Sequence, residues 1–432
     1  NQTLRKIYVL LFFIFSNIAF SDILRVEPPN WWCDFNARKL ELLVYGPKIG
    51  STSRVEVVDK KGRSAGEIII DRLKKTDNPN YLFIEITLKD NMKPGEFDFI
   101  LSGDSQNYFS YTFLSRNKEN DHALGFDASD VFYLLMPDRF SNGDNSNDNI
   151  KGMRCGTNRK VPGERHGGDL KGVSDKLNYL KDLGITTIWM TPVFENDMPV
   201  SYGEYAGQIY GAYHGYAATD MYQIDRRFGT NDDYRTLVDK AQKMGLKVVM
   251  DVVHNHVGSY HWWALDPPKK DWFHDMDIYG ITNYENVVIA DPYSSEYDIE
   301  KLTKGYFDKA MPDLNQEDPL LSKYLVQHSL WWIEYSGING IRMDTYPYVN
   351  KEHMKVWCDA VLNEYPKFGL VGEAWALGPV SVAYWQDDFM SNDNYDSNLP
   401  SVIDFPVSFS IRNALSHNAN PNAIREIHST LS

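Results

Sequence analysis

Three cysteines in 432 residues, Cys33, Cys155 and Cys358, are too few and too scattered for a disulfide framework or a zinc site. Basic residues are also short. With 44 Lys and Arg against 59 Asp and Glu, the formal net charge is −15, which argues against a nucleic-acid binder because phosphate contacts need a basic patch. Long apolar runs are missing as well. The run Ile7–Phe20 has 14 residues, broken by Ser16 and Asn17, short of the roughly 20 that cross a membrane. No repeat at solenoid spacing and no low-complexity tract stands out.

The short apolar run has a use of its own. Arg5 and Lys6 precede it, and Ala19-Phe20-Ser21 has the small-x-small form of a signal-peptidase site. Residues 1–21 are therefore expected to be a cleaved secretory signal peptide, with the mature chain starting near Asp22 and working outside the cytoplasm, in the periplasm. No Cys lies at the cleavage point, so neither a lipid nor a membrane anchor is expected after cleavage. Aromatics are abundant, at 14% with 27 Tyr and 11 Trp. Composition alone assigns them to a large core, although aromatics beside acids also suit a neutral, ring-shaped ligand such as a sugar.

Residues 22–120 read as short alternating strands, at Leu40–Tyr45, Val55–Val58, Tyr81–Ile86 and Phe97–Leu101, each bounded by turn residues, a pattern that predicts a β-sandwich. From 121 to 432 the rhythm becomes strand, helix, strand. Strand cores fall at Val131–Met136, Ile185–Met190, Val248–Val253, Ile338–Met343 and Leu370–Val371, with a weaker sixth at Val402–Phe405. Helices are predicted over Val173–Leu183, Asp232–Met244, Leu320–Tyr335 and Lys351–Glu364. This alternation implies a parallel sheet, as a barrel or a doubly wound sheet, and the lack of a Gly-rich phosphate loop after the first strand weakens the nucleotide-binding option. A stretch rich in Trp, Tyr and Asp, 257–312, is inserted between the third and fourth strands.

In a (β/α)8 barrel the reacting groups come from the C-terminal ends of the strands. The third strand ends in Asp251-Val252-Val253-His254-Asn255-His256, the fourth in Gly340-Ile341-Arg342-Met343-Asp344 and the fifth in Gly372-Glu373-Ala374-Trp375. Taken singly, Asp251 could cap a turn, Arg342 and Asp344 could be a private ion pair, and Glu373 could be merely exposed. Three charged strand ends in order make a stronger case. Arg342 and Asp344 are two apart on a strand and point the same way, so the guanidinium keeps the carboxylate ionised, as a nucleophile requires. Glu373, beside Ala374 and Trp375, has a more apolar setting that raises its pKa, as a proton donor requires. Two carboxyls so separated meet the needs of glycoside hydrolysis, and neighbouring strands would set them about 5.5 Å apart, the retaining spacing.

With these motifs the sequence resembles the α-amylase family of glycoside hydrolases, most of all its neopullulanase and cyclomaltodextrinase branch, whose marker is matched by Met311-Pro312-Asp313-Leu314-Asn315. The resemblance implies a (β/α)8 TIM barrel with an N-terminal β-sandwich domain and a small inserted domain after strand 3. It implies Asp344 as nucleophile and Glu373 as general acid/base, with Arg342, Asp251 and His256 lining the sugar subsite beside the cleaved bond. In Tyr213-His214-Gly215-Tyr216 it places Tyr216 under the sugar ring and His214 on a hydroxyl, while His254 and Asn255 hold their loop. Asn142-Gly143-Asp144-Asn145-Ser146-Asn147-Asp148, alone, is a solvated turn or a cation loop. The branch's pattern, completed by Gly167-Gly168-Asp169, implies structural Ca²⁺ on Asn142, Asp144, Asn147, Asp148, Asp169 and the Gly167 carbonyl.

Departures from the pattern shape the remaining expectations. No His-Asp pair follows Glu373, since Ser416-His417-Asn418 is not one, so the barrel is expected to be C-terminally truncated after about six strands and the fragment alone inactive. After Asp344 comes Thr345-Tyr346-Pro347-Tyr348, where many amylases carry Lys-His, and Tyr348 is expected to change the leaving-side subsite, which leaves open the preference among α-glucan substrates. The expected activity is retaining hydrolysis of α-1,4 bonds in maltooligosaccharides, cyclodextrins or pullulan. A non-catalytic starch-binding protein and a transglycosylase or isomerase of the same family are the rivals, and a homodimer is left open.

Overall fold

The computed structural model describes residues 23–118, 122–202, 209–416 and 423–431. The expected signal peptide over 1–21 lies outside the described residues. Eight strands occupy the N-terminal part: β1 (Arg25–Glu27), β2 (Trp31–Trp32), β3 (Lys39–Tyr45), β4 (Arg54–Asp59), β5 (Ile68–Lys75), β6 (Tyr81–Leu88), β7 (Gly95–Ser102) and β8 (Gln106–Leu114). They form two four-stranded sheets, ordered β1-β3-β6-β5 and β2-β8-β7-β4. β8 buries Asn107, Phe109, Tyr111 and Phe113 and turns the residues between them outward, the period-2 pattern of a sheet with one covered face. β3 and β6 are instead buried almost throughout, because their second face packs on the following domain. The Gln327 side chain pairs with both the N–H and the C=O of Glu41 at 2.8 Å each, so one side-chain amide docks a helix onto β3.

The four strands expected from sequence are present, and β1, β2, β5 and β8 were not foreseen. β5 hides its alternation behind a register shift between Ile70 and Arg72.

Five parallel strands follow: β9 (Phe132–Leu135), β10 (Thr187–Met190), β11 (Lys247–Val252), β12 (Gly340–Met343) and β13 (Gly369–Gly372). They are hydrogen-bonded in chain order, each neighbour parallel to the last. Between them lie α1 (Leu170–Asp175), α2 (Leu177–Asp182), α3 (Asn231–Lys243), α4 (Pro319–Ser336) and α5 (Lys351–Glu364). α3 opens with a capping box between Thr230 and Asp233, and α4 with Asp318 accepting from Leu320 and Leu321 N–H.

Two expectations need correction. The helix expected over Val173–Leu183 is two short helices parted at Lys176, and it begins earlier because Asp169 caps it by accepting from Gly172 N–H. The sixth strand expected at Val402–Phe405 is only a single parallel bridge, Gly372 to Val402. Asp404 accepts from Val407 N–H there and, with Pro406 in the first turn, starts α6 (Phe405–Leu415), so a strong helix-start signal overrode a short apolar run.

Seven of the eleven tryptophans are among the fully buried side chains, so the aromatic excess is mainly core. All three cysteines are free and buried. No helix among the described residues is long and apolar enough to cross a membrane.

Candidate active site

The ends of β11, β12 and β13 meet around one guanidinium. Asp251 and Arg342 are direct partners in the β11–β12 register, which brings Arg342 Nη1 to 2.8 Å from Asp251 Oδ1. The same nitrogen donates to Asp344 Oδ1 at 2.6 Å, and Nη2 lies 2.6 Å from Glu373 Oε1. Glu373 Oε2 accepts from Thr345 N–H at 3.1 Å. Arg342 is 3% exposed, so the ion pairs form away from bulk water, where they are strong. Burial and then the charge of Asp344 push the Glu373 carboxyl up, against the pull of Arg342. Burial likewise pushes Asp251 up to about 7, opposed by Arg342. One cation thus serves three carboxyls, and two of them, Asp251 and Glu373, are pushed toward their protonated forms.

These groups lie at a cavity of about 570 Å³ whose wall includes His214, Tyr216, His256, Arg342, Asp344 and Glu373. Asp251 does not reach that wall, contrary to the expectation that it lines the sugar subsite. It lies beneath, 1% exposed, with Oδ1 on Arg342 and Oδ2 accepting from Trp189 Nε1 and Tyr216 OH, each at 3.0 Å. Register and side-chain length together explain this: Asp251 is paired within β11, short of the strand end, and its side chain is too short to reach the wall that the longer Arg342, its partner on β12, does reach. Asp251 therefore holds Arg342 and Tyr216 in place.

His214 Nδ1 accepts from Tyr216 N–H at 3.0 Å, and the two rings stack with centroids 5.7 Å apart. His256 lines the cavity, but its Nε2 lies 3.0 Å from the Tyr216 carbonyl and its Nδ1 3.2 Å from Asn255 Nδ2. Burial drives both imidazoles down to about 4, so both are neutral at pH 7. His254 is wholly buried against His353, 3.1 Å between ring nitrogens, and takes no part in the wall.

Sequence reasoning missed Tyr284, Asn286, Phe307 and Met311, which the insertion adds to the wall, and Thr345 and Trp375, which lie one residue after Asp344 and two after Glu373. For the last two the signal was adjacency to a motif. Met311 opens the marker motif, but for the other insertion residues there was no signal, since 257–312 carries only short helices such as Trp262–Leu265, Met276–Tyr279 and Glu296–Lys304 and no strand end to point inward. Trp375 is the exception among tryptophans, 56% exposed and stacked on Phe405 at 4.9 Å.

Residues 134–420 match the alpha amylase catalytic domain, and residues 25–117 match the cyclomaltodextrinase N-terminal domain. The chain belongs to the α-amylase family. Among curated members it is similar to a beta/alpha-amylase of Paenibacillus polymyxa, 33% identical over 69% of this chain and 22% of that protein. It is also similar to neopullulanase 2 of Thermoactinomyces vulgaris, 30% identical over 65% of this chain and 44% of that protein. A solved structure, the α-amylase of Geobacillus thermoleovorans complexed with acarbose, superposes with a TM-score of 0.53 at 32% identity, covering 72% of this chain and 57% of that one. The chain spans about half the length, or less, of the curated relatives it matches.

The loop after β9 gathers the residues expected to hold a cation. Asn142 Nδ2 donates to Asp148 Oδ1 at 2.6 Å, and the Asp169 carboxylate, fully buried, accepts from Gly143, Asp144 and Gly172 N–H. Gly167 has φ +81, and a Cβ there would lie 2.4 Å from Asp148 Oδ1, so only glycine fits. The side-chain oxygens of Asn142 and Asn147 are buried without a hydrogen-bond partner, and unpartnered oxygens beside two carboxylates fit a hard cation. Among the described residues no group of three or more His, Cys, Asp or Glu is placed to hold a metal, so this set relies on its amide oxygens. Asp144 is exposed and accepts from Ser146 N–H at 2.9 Å.

Proposed function

We propose that the chain carries the active site of a retaining α-glucan hydrolase that cleaves α-1,4 bonds of maltooligosaccharides, cyclodextrins or pullulan. The observation that carries this reading is a single buried guanidinium bonded to both Asp344 and Glu373 at 2.6 Å on the floor of an aromatic-walled cavity. Asp344, held by Arg342, attacks the anomeric carbon while Glu373 passes its proton to the leaving oxygen, giving a covalent glycosyl-enzyme. Glu373, now ionised, takes a proton from water, which displaces Asp344 and restores the acid. Tyr216, fixed by Asp251 below, offers a ring face to the sugar, and neutral His214 and His256 border it. Relatives that bear the names neopullulanase, cyclomaltodextrinase and maltogenic amylase support this substrate class.

In the full-length protein, Asp344→Asn and Glu373→Gln should each abolish release of reducing sugar from maltooligosaccharides or cyclodextrins. Near-wild-type turnover in either variant refutes the assignment. A wild-type protein that binds these glucans and releases nothing would be the starch-binding alternative.

The loop carrying Asn142, Asp144, Asn147, Asp148, Gly167 and Asp169 is the binding site for a structural Ca²⁺ that pins the segment between β9 and α1. Chelation should lower the melting temperature by roughly 5 °C or more, an effect that Asn142→Ala removes. An unchanged melting curve on chelation excludes the ion. The leader read over 1–21 supports export to the periplasm.

A further inference from the structure

The inserted segment puts one amide in the cavity wall, beside Tyr348, and the oxygen of that amide makes no hydrogen bond. Asn286 opens a short 3₁₀ turn, Asn286–Val288, and is 8% exposed. Its Nδ2 donates to the backbone carbonyl of Trp375 at 2.7 Å, which ties the insertion to the loop carrying Glu373. Its Oδ1 is buried and has no partner. Thr345 Oγ1, in the same wall, is also buried without a partner, while Thr345 N–H holds Glu373. Leaving a buried acceptor unmet costs about 1–3 kcal/mol. The backbone around the wall is strained too, because Tyr284 and Thr345 both have positive φ, 58° and 44°, where bulky and β-branched residues are rare. Unsatisfied polar atoms and stored strain coincide where a polyhydroxylated ligand would complete the wall.

The partner of the amide nitrogen identifies which part of that ligand the residue meets. Glu373 protonates the oxygen of the departing sugar, so groups anchored to its loop face that sugar. Asn286 is bonded to this loop and not to Asp251, Tyr216 or His214, which cluster beside the nucleophile. We propose that Asn286 is a specificity residue for the leaving sugar, its Oδ1 accepting a hydroxyl hydrogen of that sugar while its Nδ2 keeps the Ala374–Trp375 backbone in register. The proposal rests on the α-glucan reading above.

Two substrates separate this role from a structural one. Maltotriose departs as a sugar, whereas α-maltosyl fluoride fills the same donor side but releases fluoride, which has no hydroxyl to bind. In the full-length protein, Asn286→Ala should lower kcat/KM for maltotriose by about tenfold and for α-maltosyl fluoride by no more than about threefold. The fluoride arm also reports whether the variant has folded. Equal losses on both substrates, or no loss on maltotriose, overturn the proposal. Wild-type protein inert on both substrates would instead remove the α-glucan reading, and this proposal with it.

Discussion

Around Arg342 one guanidinium faces three carboxyls, Asp251, Asp344 and Glu373; around Arg165 and Arg227 two buried guanidinium groups face two, Asp138 and Asp225, with the more exposed Arg139 also 3.5 Å from Asp138. Both clusters are buried in the same domain. In the second, Arg227 bonds Asp225 with two nitrogens at 2.7 and 2.9 Å, Arg165 lies 3.6 Å away, and none of the four residues exceeds 2% exposure. Burial alone would raise the Asp225 carboxyl, yet the two arginines hold it well below the usual range. In the first cluster the balance fails by two charges, and the Asp251 and Glu373 carboxyls rise. A balanced cluster has no reason to keep a proton, whereas an acid catalyst must keep one. Charge imbalance, more than burial, distinguishes the working cluster from the supporting one.

Removing the lone cation should break the comparison most severely. Arg342→Gln leaves three carboxyls without a counter-charge and frees both Asp344 and Glu373 from a shared anchor. Turnover should fall about 10,000-fold, some 5 kcal/mol of transition-state stabilisation. Stability should suffer less, because the freed carboxyls can take up protons. Turnover within tenfold of wild type would mean that Arg342 does not organise the pair.

Asp225→Asn is the reciprocal experiment. It strips one charge from the balanced cluster, leaving Arg227 without a carboxylate and Arg165 with Asp138 alone, a loss of about 3–5 kcal/mol of stability by denaturant unfolding. The turnover of molecules that remain folded should stay within about twofold, since Asp225 bonds Asn196, Arg165 and Arg227 and no residue of the cavity. A variant that kept its stability but lost its rate would erase the distinction between the clusters.

The working cluster was legible in the sequence and the supporting one was not, for a physical reason. Arg342, Asp344 and Glu373 end apolar strands, and a charge there interrupts a pattern that burial imposes. Arg165 lies in an irregular segment, and Asp225 directly follows a short strand, Asp220–Ile224, that pairs antiparallel with Phe194–Glu195 outside the parallel sheet, so neither falls in the strand-helix rhythm that marks the site. The role of Asp251 was misjudged because register is a pairing between strands, and one strand read alone cannot show that Asp251 lies opposite Arg342. Asn286 was invisible for a related reason, as its position depends on a carbonyl 89 residues away. In the sandwich, β3 and β6 were evident as long apolar runs, whereas the bulge in β5 masked its period.

The smallest expected effect gives the sharpest reading of the imbalance. Glu373 works as an acid only while protonated, and burial with the charge of Asp344 lifts its pKa above the ordinary 4.5. Activity should therefore be present below the raised value and be lost as pH rises through it, giving an alkaline limb in kcat/KM. Asp251→Asn takes one carboxylate from Arg342, so the guanidinium has more of its charge for Glu373 and favours its ionised form. The limb should move toward acid, whatever rate is lost through the weakened hold on Tyr216. Asp225→Asn, altering charge only in the balanced cluster, should leave the limb in place. If Asp251→Asn leaves the limb fixed or drives it upward, the three carboxyls are not sharing one cation, and the proton on Glu373 has another cause.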